Sequence, residues 1–330
     1  MWTSNGGEKI MMDFARRWGV LIIVAASMIA GTALGQGSAG PLAFAKDDQG
    51  GFAFDTGVLR GTLCPGGKPQ GLVSVVYVPT GTKLDRGAGI LSYYRVFTTN
   101  KRYGAAAWDW PGGSGTLLSD GAVRVSWPAA ADRPFELAAL YRWKDPQTID
   151  VETSVHAVQN LSKFETFVAS YFDETFPSSL VFVMENPDAQ GNFGFMAATK
   201  ARGDWQIFPR DPGVLPILND GRWKIEPYPL TWAVMPYLQA PIGLRRNPTA
   251  GLTAVLMAPT TECFAMATPY EGESHYSLYP SLFGRDIKAG ETATAHTRLV
   301  VAKDVSNEKA LEFYRQYMTD ILPPRGTTRR

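Results

Sequence analysis

From Gly51 onward, short apolar runs alternate with turns built from Gly, Pro, Asp and Asn, a spacing that predicts β-strands. Leu72–Val78 reads LVSVVYV, the near-continuous apolar run of a strand covered on both faces, and Val123–Trp127 alternates apolar with polar. Phe135–Trp143 and Thr148–His156 are predicted to pair through a turn at Lys144-Asp145-Pro146-Gln147. In the second of these, Ile149, Val151, Thr153 and Val155 share one face while Asp150, Glu152, Ser154 and His156 share the other. Phe164–Phe172, Leu180–Val183, Thr253–Met257, Phe264–Ala267, His275–Leu278 and Ala293–Val301 continue the series. Near the end the period changes. Ala310, Leu311, Tyr314, Tyr317, Met318 and Ile321 form a helical stripe, Ser306 can cap it, and Pro323 and Pro324 stop it. The pattern is all-β: one large antiparallel sandwich over residues 51–303, then a C-terminal helix and polar tail over 304–330.

The first 35 residues read differently. Arg16 and Arg17 precede an apolar run from Val20 to Ala33, which ends in small residues at Ala33-Leu34-Gly35. A run of about 14 residues is short for a membrane span of ~20, so residues 1–35 are expected to be a cleaved secretion signal, with an uncleaved N-terminal anchor as the rival reading. Residues 36–50 then read as a Gly/Ala-rich flexible tether. The expected location is periplasmic or secreted, with no stable membrane span after cleavage.

Removing residues 1–35 takes away three basic and two acidic side chains, leaving 29 of each. A balanced mature chain has no long-range pull toward nucleic acid, and no nucleic-acid partner is expected. Cys64 and Cys263 lie far apart in sequence; an exported chain could join them, and the loop closure would contribute roughly 4–5 kcal/mol. Two buried free thiols fit the sequence better, because nothing local forces these residues together. Nine tryptophans and 13 tyrosines point modestly toward carbohydrate, because these rings stack on the apolar faces of sugars.

Three clusters could carry chemistry. The densest is Thr268–Tyr279, reading TPYEGESHYSLY. If extended, it puts Glu271, Glu273 and His275 on one face, where carboxylates beside an imidazole can divide the roles of acid and base. The same alternation could ligate a divalent metal or be an ordinary solvated strand, with Tyr270 and Tyr276 as available sugar contacts. The second cluster is Arg210-Asp211 with Asp220-Gly221-Arg222-Trp223, where arginines could grip hydroxyls or carboxylates and Trp223 could stack. Asp–Arg pairing at a turn explains it as well. The third runs from Tyr93-Tyr94-Arg95 through Arg102 to Trp108-Asp109-Trp110, a carboxylate between two indoles. Asp173-Glu174 adds two acids, of which a strand can direct only one inward. No phosphate loop, nucleotide fingerprint, GxSxG elbow or HExxH motif is present, and no cofactor or resident metal is expected.

The segment Gly284-Arg285-Asp286-Ile287-Lys288-Ala289-Gly290-Glu291-Thr292, running into a terminal strand, resembles the galactose mutarotase-like β-supersandwich. So does Thr148–Phe172, a period-two strand followed by Gln159-Asn160-Leu161 and a second strand. That resemblance covers Gly51–Lys303 and implies a concave sheet face that binds sugar. Aldose epimerases of the superfamily place a catalytic histidine shortly before a Tyr-Phe pair; here Ala169-Ser170-Tyr171-Phe172 has none. The fold also supports hydrolases, polysaccharide lyases and non-catalytic sugar-binding domains. The expectation is an exported carbohydrate-active enzyme using His275 with Glu271 or Glu273. Arg210, Arg222, Trp223, Trp108, Asp109, Tyr270, Tyr276 and Arg102 are its expected sugar contacts. The alternative is a non-catalytic exported carbohydrate-binding or structural β-sandwich protein.

Overall fold

The computed structural model describes residues 42–321, without the side chains of Tyr93 and Tyr94. The signal expected over 1–35 and the tail beyond Ile321 lie outside the described residues, as do the side chains of that tyrosine pair. Of the expected tether, Ala45–Lys46 pairs with Phe52–Asp55, and Phe44 is buried in the core. The β-structure thus begins before Gly51.

Period-two alternation becomes structure directly. Phe135–Asp145 and Thr148–Ala157 form an antiparallel hairpin with Trp143 opposite Ile149. Ile149, Val151, Thr153 and Val155 are buried, and the polar positions between them are half-exposed. This hairpin lies in a nine-stranded antiparallel sheet, extended through Thr292–Lys303, Leu252–Met257 and Leu238–Asn247. A seven-stranded sheet is centred on Leu161–Tyr171 and Ser277–Ile287, flanked by Ser92–Thr98 and Cys263–Pro269. Its edge carries a parallel pair, Trp205–Pro209 with Ala233–Val234. A third sheet has five strands in sequence order, from Ala45–Lys46 to Thr82–Lys83.

The inner core joins Val151, Val155 and Leu299 of the nine-stranded sheet to Phe164, Val168 and Leu282 of the seven-stranded one. Phe52 and Leu63 of the third sheet complete it. Each such aromatic or aliphatic side chain contributes roughly 1.5–3 kcal/mol when fully buried. Leu161–Tyr171 is covered on both sides: from Phe164 to Tyr171 every residue is buried, including the polar Glu165, Thr166 and Ser170. Phe164 and Val168 face the inner core, whereas Phe167, Ala169 and Tyr171 face a second cluster on the outer side of the sheet. Tyr279, Phe97 and Trp223 share that outer cluster. It is the floor of the candidate site.

Two joints bring distant loops to this face. Arg86 N–H donates to Tyr171 O at 3.1 Å, and Tyr171 N–H to Gly89 O at 3.0 Å. Gly89 has φ +90°, and a Cβ there would lie 1.9 Å from the Gln70 carbonyl oxygen, so only glycine allows the approach. The C-terminal helix, Asn307–Ile321, starts beyond Ser306, whose Oγ accepts from Lys309 N–H at 3.2 Å. Its buried Ala310 and Tyr317 pack on Val255, Met257 and Val300, on the other side of the nine-stranded sheet from the inner core. Cys64 and Cys263 are both free thiols, so the disulfide is not formed. Burial pushes the Cys263 thiol up to about 12, the behaviour of an inert core side chain.

Candidate functional site

Cys263–Pro269 and Ser277–Ile287 are neighbouring strands, and residues 270–276 join them. Sequence alternation predicted an extended segment here with Glu271, Glu273 and His275 on one face. The chain instead makes tight turns: Glu273 N–H donates to Tyr270 O at 3.1 Å and Tyr276 N–H to Glu273 O at 3.3 Å. Tyr276 sits at φ +46°, a left-handed conformation that costs a bulky residue on the order of 1–2 kcal/mol. The turn folds Glu273 back onto His275. Its carboxylate accepts the His275 N–H at 2.8 Å and lies 2.8 and 2.9 Å from Nδ1. Glu271 is exposed, its N–H held by Ala198 O at 3.0 Å, and it does not share their face.

Burial alone would raise the Glu273 carboxyl, but the His275 ring and backbone N–H groups outweigh it and hold the carboxyl below its ordinary value. An ionised Glu273 tied to Nδ1 leaves Nε2 as the ring nitrogen for a ligand. His275 lines a cavity of about 400 Å³ on the outer face of the seven-stranded sheet, and its side chain is 44% exposed. The imidazole stands edge-on to Trp205, centroids 5.1 Å apart, and 6.0 Å from the Tyr171 ring.

Phe167, Tyr171 and Tyr279 form the floor, and Trp108, Trp205, Trp232 and Tyr228 the walls. Lys68, Arg86 and Arg95 add positive charge. Phe167 and Tyr279 stack at 4.5 Å, and Trp232 meets Trp205 and Trp223 edge-on. Such packing gives the walls few rotamers to lose when a ring settles on them.

The expected sugar contacts divide. Trp108 lines the cavity; its neighbour Asp109 is exposed and does not. Arg222 is 0% exposed and bonds Glu165 at 3.0 Å and Asp220 at 2.8 Å, so it has no surface for a ligand. Burial would lower its guanidinium pKa, but the two carboxylates outweigh burial and hold it charged. Trp223 is buried against Phe97, Phe167 and Trp232, a support beneath the cavity and not a stacking platform. Arg210 pairs with Asp211 at 2.6 Å and reaches Thr260 O, outside the cavity lining. Tyr270 and Tyr276 also lie outside the lining, each under a cation: Lys200 at 5.2 Å and Arg86 at 5.4 Å. Arg102 donates to the Ile225 and Pro227 carbonyls and so anchors the loop that carries Tyr228. Of Asp173 and Glu174, neither lines the cavity; they pair with Lys83 and Arg86 at its edge. Among the described residues no three His, Cys, Asp or Glu side chains converge on a metal position.

Several lining residues escaped the sequence reading. Trp205 and Trp232 belong to the parallel edge pair and the irregular stretch around it, where no apolar period singles them out. Lys68 and Arg86 belong to loops between strands of the five-stranded sheet and just beyond it. Tyr171 was visible in the Tyr-Phe pair, and the position two residues before it is the buried methyl of Ala169. An imidazole still reaches this face, from the adjacent strand: Tyr171 pairs with Ser277, two residues after His275.

No protein-family model matches the chain, and no curated protein sequence does. Solved structures similar to it include a putative aldose 1-epimerase from Escherichia coli K12, with 12% identity and a TM-score of 0.42, covering 77% of this chain and 99% of that one. A galactose mutarotase related enzyme from Lactobacillus acidophilus matches at 8% identity and a TM-score of 0.45, over 78% and 99% of the two chains. An alpha-N-acetylgalactosaminidase from Bifidobacterium bifidum, solved with GalNAc, matches at 11% identity and a TM-score of 0.44 over 84% of this chain, which spans 37% of that protein. Likenesses this distant assign no activity. Among the described residues no helix is long and apolar enough to cross a membrane.

Proposed function

We propose that this chain is an exported carbohydrate-active enzyme that moves a proton on a sugar ring through His275, with Glu273 as the positioning carboxylate. One observation carries the reading: an imidazole with Nδ1 fixed 2.8 Å from a carboxylate lines an aromatic-walled cavity of about 400 Å³. Indole faces at Trp108, Trp205 and Trp232 suit the apolar C–H faces of a pyranose. A carboxylate on Nδ1 orients the ring and leaves Nε2 as the nitrogen through which a proton can be exchanged with a ligand. Tyr171, beside His275, offers a hydroxyl for the complementary proton. No carboxylate lines the cavity among the described residues, whereas glycoside hydrolysis ordinarily uses two flanking the scissile bond. Lyase or epimerase chemistry fits better. The apolar N-terminal segment supports periplasmic or secreted placement.

The methyl at Ala169 favours a second reading, a sugar-binding protein without turnover. Incubation of the purified chain with mono- and oligosaccharides, following reducing ends, ultraviolet absorbance of unsaturated products and epimer ratios by NMR, separates the two. Turnover that falls by roughly 10²–10⁴-fold in His275→Ala, with binding retained, is the expected result. Binding without turnover in the wild-type chain would leave only the second reading.

A further inference from the structure

We infer that the cavity takes an anionic carbohydrate, one bearing a carboxylate or a sulfate ester, and that Arg86 and Lys68 read that charge. The inference rests on the sugar-site reading above and narrows it to a substrate class.

Three cationic side chains, from three separate segments, line this cavity: Lys68, Arg86 and Arg95. No Asp or Glu is among the described lining residues. The chain as a whole carries a net charge of only +1, so this imbalance is local and not the trace of a basic protein. The nearby acids are committed elsewhere. Glu273 is bound to His275, and Glu174 meets a single nitrogen of Arg86, Nη1, at 3.1 Å in a solvent-exposed pair. An exposed pair of that kind is worth at most about 1 kcal/mol, so it yields readily to a ligand anion.

Placement supports the same conclusion. The Lys68 ammonium stands 5.0 Å from the centroid of the Trp108 ring. Lys68 and Trp108 line the cavity together, so a sugar seated at the Trp108 side meets this ammonium. Arg86 is braced from two sides, its N–H on Tyr171 O and its guanidinium 5.4 Å from the Tyr276 ring. Arg95 is buried, with its guanidinium 5.3 Å from Trp223, and it fixes positive potential at the floor. A neutral sugar has no use for such cations, whereas a uronate or sulfated sugar needs them beside aromatic faces, whose quadrupole repels anions.

The test uses matched ligands: oligomers of galacturonate, glucuronate and mannuronate, each with its carboxyl-reduced counterpart, and galactan oligomers with and without sulfate esters. Affinities are measured by calorimetry at low and high salt for the wild-type chain and for Lys68→Gln and Arg86→Gln. Lys68 is exposed and the Arg86 side chain is 40% exposed, and melting temperatures confirm that the variants fold. A charge-assisted hydrogen bond contributes about 1.5–3 kcal/mol, so one anionic ligand is expected to bind roughly 10- to 100-fold more tightly than its neutral partner. That preference should shrink at high salt and in both variants. Carboxylate or sulfate preference then names the anion. Equal affinity for the charged and neutral members of every pair would overturn the inference and leave the sugar site standing. No binding of any member would overturn both.

Discussion

His275 and Glu273 are two residues apart, and on a regular strand their side chains would run parallel without closing on each other. They close because the backbone turns at 270–276, letting one carboxylate accept both the backbone N–H and the ring nitrogen of His275. The carboxyl sits below its ordinary value, so the pair keeps its anion as the pH falls through the usual carboxylate range. For such a depressed acid, the contribution is complete above the unfolded-state pKa and is lost only as pH drops through the lower folded-state value. Glu273→Gln keeps the size and removes the charge. It is expected to lower kcat by roughly 10²-fold with KM little changed, and Glu273→Asp should restore part of the loss. A change in KM alone would place Glu273 in ligand binding. The members of this pair were legible in the sequence as a His and Glu cluster. The exclusion of Glu271 was not, because strict alternation cannot anticipate a turn.

At the scale of elements, the 270–276 connection is held from below by Arg245, on the strand Leu238–Asn247 of the opposing sheet. Its guanidinium is fully buried and donates to Ser277 O at 3.0 Å, Thr268 Oγ1 at 3.1 Å and Pro177 O at 2.9 Å. It thus ties both ends of the 270–276 loop and the chain entering Ser178–Val183. Burial lowers its pKa to about 9, the cost of holding a guanidinium away from water. Lysine cannot span these acceptors, because it presents a point charge in place of a planar fork. Arg245→Lys is expected to cost about 1–3 kcal/mol and to speed hydrogen exchange over residues 270–276 ahead of the strands. Uniform exchange across the sheet would assign Arg245 to general stability only. Sequence pattern did not flag this strand: Pro241 and Gly243 interrupt its apolar run and read as breakers. The strands Val123–Trp127 and Thr148–Ala157 were legible because half-burial writes a period of two into the chain.

Across the whole molecule, the two large sheets are also latched on a side away from the cavity. His296, on Thr292–Lys303, donates its backbone N–H to Glu262 at 2.7 Å, and its Nδ1 lies 3.0 Å from the same carboxylate. Glu152 approaches Nε2 at 3.6 Å. Glu262 directly precedes Cys263–Pro269 of the other sheet, so the imidazolium bridges both layers. Hydrogen bonding to Glu262 raises the His296 pKa, with burial opposing and the charges of Glu262 and Glu152 reinforcing. A base raised on folding stabilises fully below its unfolded pKa, about 6.5, and loses that contribution as pH rises through the folded value. Melting temperature should therefore decline above pH ~6.5 more steeply in the wild-type chain than in His296→Gln. Parallel profiles would remove His296 from the latch.

One set of this protein's properties is written in local periodicity and can be read from the chain directly. It fixes which faces of the strands are buried, where the C-terminal helix lies, and that aromatic and histidine-bearing segments exist to build a site. Side-chain direction alternates with backbone geometry, so these features need no knowledge of distant neighbours. Tertiary structure decided which of those segments meet. Arg222 and Trp223 went beneath the floor because Glu165 and Asp220 offered a buried charge its partners, and Arg210 paired with its own neighbour. Lys68 and Arg86 came to the cavity through loop joints such as Gly89 against Gln70 and Arg86 on Tyr171, and Trp205 through its pairing opposite Pro269, all contacts between remote parts of the chain. No local period encodes such contacts, because what sets them is the closing of one sheet against another.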